Sequence, residues 1–110
     1  MASVEIDLTQ VHDWDSFHAE FARALGFPDF YGNNMNAWED AMSDLSKPDV
    51  EGLTRVQVPV GEDLVLVLRG AKELISEHPE IFAGLVDSTA HVNRLKVTIE
   101  GASRLLLLPL

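Results

Sequence analysis

Two histidines and two aspartates lie close together near the amino terminus, and they are the first residues whose types could do chemistry. They are His12, Asp13, Asp15 and His18. Such groups could hold a metal ion or exchange protons with a substrate, but their spacing matches no common metal-binding or nucleophile motif. Asp13 and Asp15 are better explained as the cap and the first-turn acid of a helix. We interpret His12 and His18 as partly exposed polar residues.

The other candidate catalytic side chains lack partners in the sequence. His78 and His91 stand alone, and a lone histidine on a helix is more often structural than a ligand. Ser88 and Thr89 have no neighbouring base and no nucleophile elbow around them. The chain contains no cysteine and no glycine-rich phosphate loop. We therefore expect no enzymatic activity, no metal and no cofactor.

A predicted helix after residue 34 carries acidic and polar residues at helical spacing. At about 100° per residue they share one face, opposite the apolar residues Met35, Trp38, Met42 and Leu45. We call them the acidic ridge: Asn36, Glu39, Asp40, Ser43 and Asp44. The helix has no lysine or arginine to neutralise them, and like charges at i and i+4 cost roughly 0.2 to 0.5 kcal/mol. The ridge is either a solvated face or a surface for a basic partner, and periodicity alone leaves both open.

The charge of the whole chain is acidic and unevenly placed. The formal net charge is -10 over 110 residues, and residues 1–51 hold eleven of the acids against only Arg23 and Lys47. Such a chain should be repelled by nucleic acid and by anionic lipid, whereas its amino-terminal half should attract a basic protein surface. The simpler alternative is that the acids only keep the protein soluble. We expect no nucleic-acid partner and no membrane partner.

Length and hydropathy predict one domain over residues 1–110. No run of eighteen apolar residues occurs, and the first residues have neither a basic nor an apolar region of the kind found in a secretory signal. The absence of cysteine is compatible with a reducing compartment. These features predict a cytoplasmic protein, or the mature form of a protein that has been trimmed.

The amino-terminal half predicts a strand, two helices and an ordered loop. Alternation of apolar and acidic residues favours a strand over Val4–Leu8. Asp13 should cap a helix that Gly26 ends. Proline, glycine and asparagine residues around two aromatics indicate turns over 27–34. Asn33 or Asn34 should then cap the helix that carries the acidic ridge, and Pro48 should end it near Ser46.

The carboxy-terminal half predicts further strands around two helices. Leu64–Leu68 is uninterrupted and β-rich, as a central buried strand would be. A short helix over 70–76 and a longer one that starts at Pro79 should follow. Alternation predicts a strand over Leu95–Glu100. The extended tail at 105–108 could pair with an edge strand at 56–60, which contains a proline.

This order of elements predicts an α/β fold. Strands separated by helices imply right-handed crossovers and a mainly parallel sheet with helices packed on it. The segments around 55–60 and 104–108 could add a two-stranded appendage to that sheet.

The stretch from Phe27 to Met42 resembles the barstar family. It contains that family's phenylalanine–proline turn, then tyrosine–glycine, an asparagine one residue further on, and a helix that ends in an acid. The preceding helix and the central strand also follow the order of the family, so the resemblance covers most of the chain. It implies a three-stranded parallel sheet with helices. It also implies an intracellular inhibitor that plugs the basic active-site cleft of a microbial, barnase-like, guanyl-specific ribonuclease in a 1:1 complex.

The resemblance also implies which residues bind the ribonuclease. Asp40 matches the principal acid, which takes the place of a substrate phosphate among the basic residues of the enzyme. The other matching or adjoining positions are Phe30, Tyr31, Gly32, Asn34, Asn36, Glu39 and Asp44. Two other functions stay open. The same fold could present its acids to a basic partner that is not a nuclease. A small enzyme using Asp40, Glu39 or a histidine would need a closed pocket, which a convex helix ridge seldom provides.

Overall fold

The computed structural model describes residues 2–43, 58, 61–96 and 104–110. In chain order, its strands and helices are β1 (Ala2–Asp7), α1 (Trp14–Leu25), α2 (Met35–Ser43), β2 (Leu64–Arg69), α3 (Ala71–Glu77), α4 (Pro79–Lys96) and β3 (Leu105–Pro109), with a 3-10 turn at Leu8–Gln10. Within the described residues, no helix has the length and apolar character needed to cross a membrane.

The three strands form one all-parallel sheet in the order β1-β2-β3, which confirms the predicted α/β class. Val4 of β1 lies opposite Leu66 of β2, and Leu66 lies opposite Leu107 of β3. The central place of β2 agrees with its uninterrupted apolar sequence. A strand with a neighbour on both edges leaves no unpaired backbone groups, so it can lie deep in the core.

The core lies between one face of the sheet and the helices. Most inward residues of the strands are almost fully buried, and so are the central apolar residues of α1 and α2. The largest of these side chains are Ile6, Leu64, Leu66, Leu68, Phe17, Phe21, Leu25, Trp38 and Met42. Burial of one such side chain stabilises the fold by about 1.5 to 3 kcal/mol. The helix carrying the acidic ridge is therefore anchored by its opposite face.

Helix α1 has the ends that its sequence predicts. The Oδ1 atom of Asp13 accepts a hydrogen bond from the Ser16 N–H at 2.8 Å, and the Ser16 hydroxyl oxygen accepts one from the Asp13 N–H at 3.0 Å. The hydrogen bonds that the Asp13 carboxyl accepts from the Ser16 N–H and from the Ser16 hydroxyl lower the pKa of that carboxyl. Gly26 ends the helix with φ of 68°, a left-handed conformation that glycine adopts without a Cβ clash.

Gly84 of α4 makes room for the side chain of Trp14 at the start of α1. A Cβ atom at Gly84 would lie only 2.6 Å from the Trp14 Cη2 atom, which is closer than non-bonded carbon atoms approach. The glycine therefore lets the indole of Trp14 lie directly on the backbone of α4. This contact holds the first turn of α1 against α4.

The predicted first strand, Val4–Leu8, starts two residues late and ends one residue late. β1 ends at Asp7, and Leu8 instead begins the 3-10 turn. The Asp7 side chain accepts a hydrogen bond from the Thr9 N–H at 3.1 Å, so it turns the chain where the alternation of apolar residues would let it continue.

The two predictions for the carboxy terminus need correction. Leu95 and Lys96 are the last residues of α4 and do not belong to a strand, while 97–100 lie outside the described residues. The tail does form a strand, but Leu105–Pro109 pairs in parallel with β2 as the third strand of the main sheet. The tail is therefore a strand of the main sheet, while its predicted partner segment, 55–60, lies outside the described residues except for Val58. Val58 is buried and lies outside any strand.

The position of β3 has a physical reason. A buried central strand needs hydrogen-bond partners along both edges, and β1 supplies only one of them. On its outer edge, β3 is covered by Asn93 of α4, whose amide accepts from the Leu105 N–H and donates to the Leu105 carbonyl oxygen, both at 2.9 Å. Pro109 has no N–H to expose at this edge. Both features make further strand pairing at the edge less favourable.

Candidate functional site

The loop between α1 and α2 is ordered by aromatic packing and by a turn. The Tyr31 N–H donates to the Pro28 carbonyl oxygen at 2.9 Å. The ring of Phe27 is buried and packs against Tyr31 with centroids 4.6 Å apart. Phe30 points the other way and is 76% exposed. The prediction of an ordered loop is confirmed, and the loop leaves one large aromatic side chain in solvent.

Asn34 is the cap of α2. Its Oδ1 atom accepts a hydrogen bond from the Ala37 N–H at 2.8 Å, and its Nδ2 atom donates to the Gly32 carbonyl oxygen at 3.1 Å. Asn33, the other candidate, has a left-handed φ of 52° and completes the turn into the helix. The amide of Asn34 thus joins the loop to the first turn of α2, which fixes the two parts of the site relative to each other.

Helix α2 separates its apolar and acidic faces as predicted. Trp38 and Met42 are fully buried, and the indole of Trp38 meets the ring of Phe21 edge-on at 5.6 Å. On the other side, Asn36 and Asp40 are exposed. Glu39 and Ser43 are partly exposed, and the Ser43 hydroxyl donates to the Glu39 carbonyl oxygen at 2.7 Å. Asp44 and Leu45 lie outside the described residues.

A groove of about 240 Å³ runs between the loop and α2. Its lining is mostly apolar, and Asp40 contributes the one ionisable carboxylate among the described residues that form it. The lining residues are Pro28, Phe30, Tyr31, Gly32, Ala37, Asp40 and Ala41. Four predicted site residues, Phe30, Tyr31, Gly32 and Asp40, therefore meet in one place. Asn34 acts as the cap of α2, and neither Asn34 nor Asn36 nor Glu39 is part of the groove lining.

The charge of Asp40 is not neutralised by the described part of the chain. Among the described residues, neither Glu39 nor Asp40 forms an ion pair, although several arginines elsewhere pair with acids. A carboxylate next to apolar walls can accept hydrogen bonds from an arginine or a lysine of another molecule. The arrangement is suited to binding a cation.

His18 is buried, which corrects its interpretation as a partly exposed residue. Its ring is only 2% exposed, and its Nδ1 atom lies 2.5 Å from the Tyr31 hydroxyl oxygen. Burial lowers the pKa of His18, an effect that the nearby Asp15 carboxylate opposes. Burial also raises the pKa of the Tyr31 hydroxyl. His18 follows Trp14 by one helical turn, so its spacing was the available signal that it borders the apolar stripe.

Two of the other candidate catalytic residues, Thr89 and His12, take part in hydrogen bonds that stabilise helices. Thr89 is buried, and its hydroxyl donates to the Leu85 carbonyl oxygen at 2.7 Å, within helix α4. His12 is exposed, and its backbone N–H donates to the Ser16 hydroxyl oxygen at 2.8 Å as part of the start of α1. In the part of the chain that the structure describes, no three histidine or carboxylate side chains converge as metal ligands would.

The chain belongs to the barstar family. The family model described as Barstar (barnase inhibitor) matches residues 1–100, which include the loop, the groove and the acidic ridge. Members of this family are inhibitors rather than enzymes, and membership implies a ribonuclease as the binding partner. A search of the curated proteins finds no match to this chain.

Proposed function

We propose that this protein inhibits a small, basic, guanyl-specific ribonuclease by covering its active site in a 1:1 complex. The observation that carries the proposal is the exposed carboxylate of Asp40 at the edge of an apolar groove. A ribonuclease binds the phosphate of its substrate with cationic side chains. A carboxylate held at a fixed position can replace that phosphate, because it accepts charge-assisted hydrogen bonds from the same groups.

The rigidity of the site supports tight binding. Asn34 links the loop to α2, and Trp38 anchors the helix in the core, so little order has to be imposed when a partner binds. Association then loses less conformational entropy, and more of the interaction energy appears as affinity. Phe30 is large, aromatic and exposed, as interface residues that contribute strongly to binding commonly are.

The distribution of charge supports fast association. The net charge of -10 is concentrated in residues 1–51, which contain the loop and the acidic ridge. A basic enzyme that approaches this side is attracted before contact, which raises the association rate and restricts the orientations in which the two proteins meet. We infer that Glu39 and Asn36 act at the rim of the contact, beside Asp40.

A panel of small microbial guanyl-specific ribonucleases would test the proposal. Each enzyme cleaves RNA in the presence of an equimolar amount of this protein, and folding of the protein is checked by circular dichroism. Inhibition of any member supports the proposal. If the folded protein inhibits none of them, the proposal fails, and the acidic ridge serves a basic partner of another kind, to be sought by pull-down.

A further inference from the structure

A buried hydrogen bond connects α1 to the loop that lines the groove. The His18 ring on α1 is almost completely buried, and its Nδ1 atom lies 2.5 Å from the hydroxyl oxygen of Tyr31. Among the described residues, this is the hydrogen bond that joins the Tyr31 side chain to the body of the protein. The short distance and the burial favour a bond that persists in solution, because water cannot easily replace either partner.

Tyr31 transmits this attachment to the binding surface. Its ring packs on Phe27 on one side, and the same residue lines the groove together with Asp40 and Phe30. The polar tip of the tyrosine is thus held inside the protein while its body forms a wall of the site. Loss of the tip's partner would let the ring tilt, which would change the shape of the groove without removing any groove residue.

The surroundings of His18 favour an uncharged ring. The imidazole contacts Phe17 edge-on at a centroid distance of 5.1 Å, and it lies 6.3 Å from the ring of Trp14. Among the described residues of α1 and the loop, Asp15 is the charged group that acts on it, and Tyr31 is the titratable group bonded to it. A neutral imidazole can complete this bond in either tautomer, because Nδ1 can accept from the hydroxyl or donate to it.

We propose that His18 is a positioning residue for ribonuclease binding, which it supports by holding Tyr31, and through it the loop, in the conformation that forms the groove. The inference rests on the proposed function for its biological meaning. Its structural content concerns the free protein and can be tested there, without any ribonuclease.

Amide hydrogen exchange of the free protein tests the attachment directly. The Tyr31 N–H and the Ala37 N–H are hydrogen-bonded reporters in the loop and in the first turn of α2. Tyr31→Phe removes the hydroxyl and keeps the ring, and we expect it to raise exchange at both reporters about tenfold. Amides of the central strand β2 serve as the internal control and should exchange as in the wild type.

Two changes at His18 separate positioning from general stability. His18→Leu should accelerate the same reporters as Tyr31→Phe does, and the double variant should add little, because both changes break one bond. His18→Gln retains a side chain that can hydrogen-bond the hydroxyl, so we expect it to restore most of the protection. The proposal is overturned if Tyr31→Phe leaves the reporters unchanged, or if β2 amides accelerate by the same factor as the loop.

The pH dependence gives a second readout. Because burial lowers the pKa of His18 from 6.5, the stability contributed by the neutral ring is complete above pH 6.5. It declines as the pH falls toward the pKa of the folded state. In a nuclear magnetic resonance titration, the loop amides should shift with the same midpoint as the His18 ring, and Tyr31→Phe should weaken this coupling. The inference would be contradicted if the chemical shifts of the loop amides changed with a midpoint different from that of the His18 ring.

Binding completes the test. With a ribonuclease that the panel identifies, Tyr31→Phe should raise the dissociation rate about tenfold, and His18→Gln should change it by less than about threefold. An unchanged dissociation rate for Tyr31→Phe would contradict a positioning role in binding. If the panel yields no inhibited enzyme, the proposed function fails, whereas hydrogen exchange in the free protein still decides whether His18 holds the loop.

Discussion

Acidic residues have different surroundings in two regions of this molecule. Around the sheet they pair with arginines: Arg69 contacts Glu5 at 2.8 Å, and Arg104 contacts Asp63 at 3.3 Å. On the described part of the acidic ridge, Glu39 and Asp40 form no such pair. A carboxylate beside an arginine has its charge partly balanced within the protein, whereas an unpaired exposed carboxylate can accept hydrogen bonds from another molecule. From this contrast we propose that the first group acts within the fold and that the second serves recognition of a partner.

Replacement of Asp40 should produce the largest effect on binding. Asp40→Ala removes the carboxylate that we expect among the cations of the ribonuclease, and it should weaken inhibition at least 100-fold, or about 2.7 kcal/mol. Urea denaturation should show an unchanged free energy of unfolding, because the side chain is exposed and unpaired within the described structure.

Glu77→Gln is the control for Asp40→Ala that is matched in its change of net charge. Glu77 is an exposed acid on α3, away from the groove, and the variant also removes one negative charge. The inhibition constants of both variants should be measured with one ribonuclease. They separate the effect of losing the Asp40 carboxylate from the effect of losing one unit of negative charge. Less than a threefold loss for Asp40→Ala, or equal losses for the two variants, would contradict the assignment of Asp40.

Replacement of Glu20 should reduce stability and leave inhibition nearly unchanged. The Glu20 side chain is only 4% exposed, accepts a hydrogen bond from the Asp7 N–H at 2.8 Å and pairs with Arg23. Glu20→Ala leaves that backbone N–H without its partner, so the free energy of unfolding should fall by about 1 to 3 kcal/mol. Inhibition by the folded variant should stay within threefold of the wild type. A large loss of binding without a loss of stability would contradict the proposal that the two groups of acids have different roles.

Salt should affect association more than dissociation. If the acids of residues 1–51 act before contact, raising the ionic strength from about 0.05 to 0.5 M shortens the screening length and should slow association about tenfold or more. Stopped-flow measurements of both rate constants provide the check. An association rate that does not depend on salt would contradict electrostatic steering. It would favour the alternative that the acids only keep the protein soluble.

The smallest effect is expected at the exposed pair of Glu5 and Arg69. Arg69 lowers the pKa of Glu5 from 4.5, so the contribution of the pair is present above pH 4.5 and is lost as the pH falls through the lower value. Both side chains are solvated, and exposed pairs contribute little. Glu5→Gln should therefore reduce stability slightly at pH 7 and not at pH 2, as measured by urea denaturation. A reduction as large as that of Glu20→Ala would show that exposure does not decide the role of an acid.

Much of the fold could be predicted because it depends on local patterns. Asp13 and Gly26 bound α1 through hydrogen bonding and backbone conformation that each residue supplies itself. The uninterrupted apolar run of β2 and the proline at the start of α4 are equally local signals. The groove residues Phe30, Tyr31, Gly32 and Asp40 could be named as well, since the motif that carries them is short and continuous.

The errors arose where a residue has two compatible local structures. Leu95 and Lys96 fit a strand by alternation, but they continue α4 in the fold. The leucines of the tail are compatible with pairing to any neighbouring strand. They pair with β2, which has an edge that β1 does not occupy. A strand's pairing depends on which edge is available, and this is a property of the assembled sheet.

The sequence by itself determined the α/β class, the ends of α1, the central strand and the acidic face of α2, because spacing and capping act over a few residues. Only the tertiary structure decided that β3 completes the parallel sheet and that His18 is buried against Tyr31. Both depend on contacts between segments distant in the chain, where burial and backbone hydrogen bonding outweigh local preference. The hydrogen bond between His18 of α1 and Tyr31 of the loop is one of these contacts.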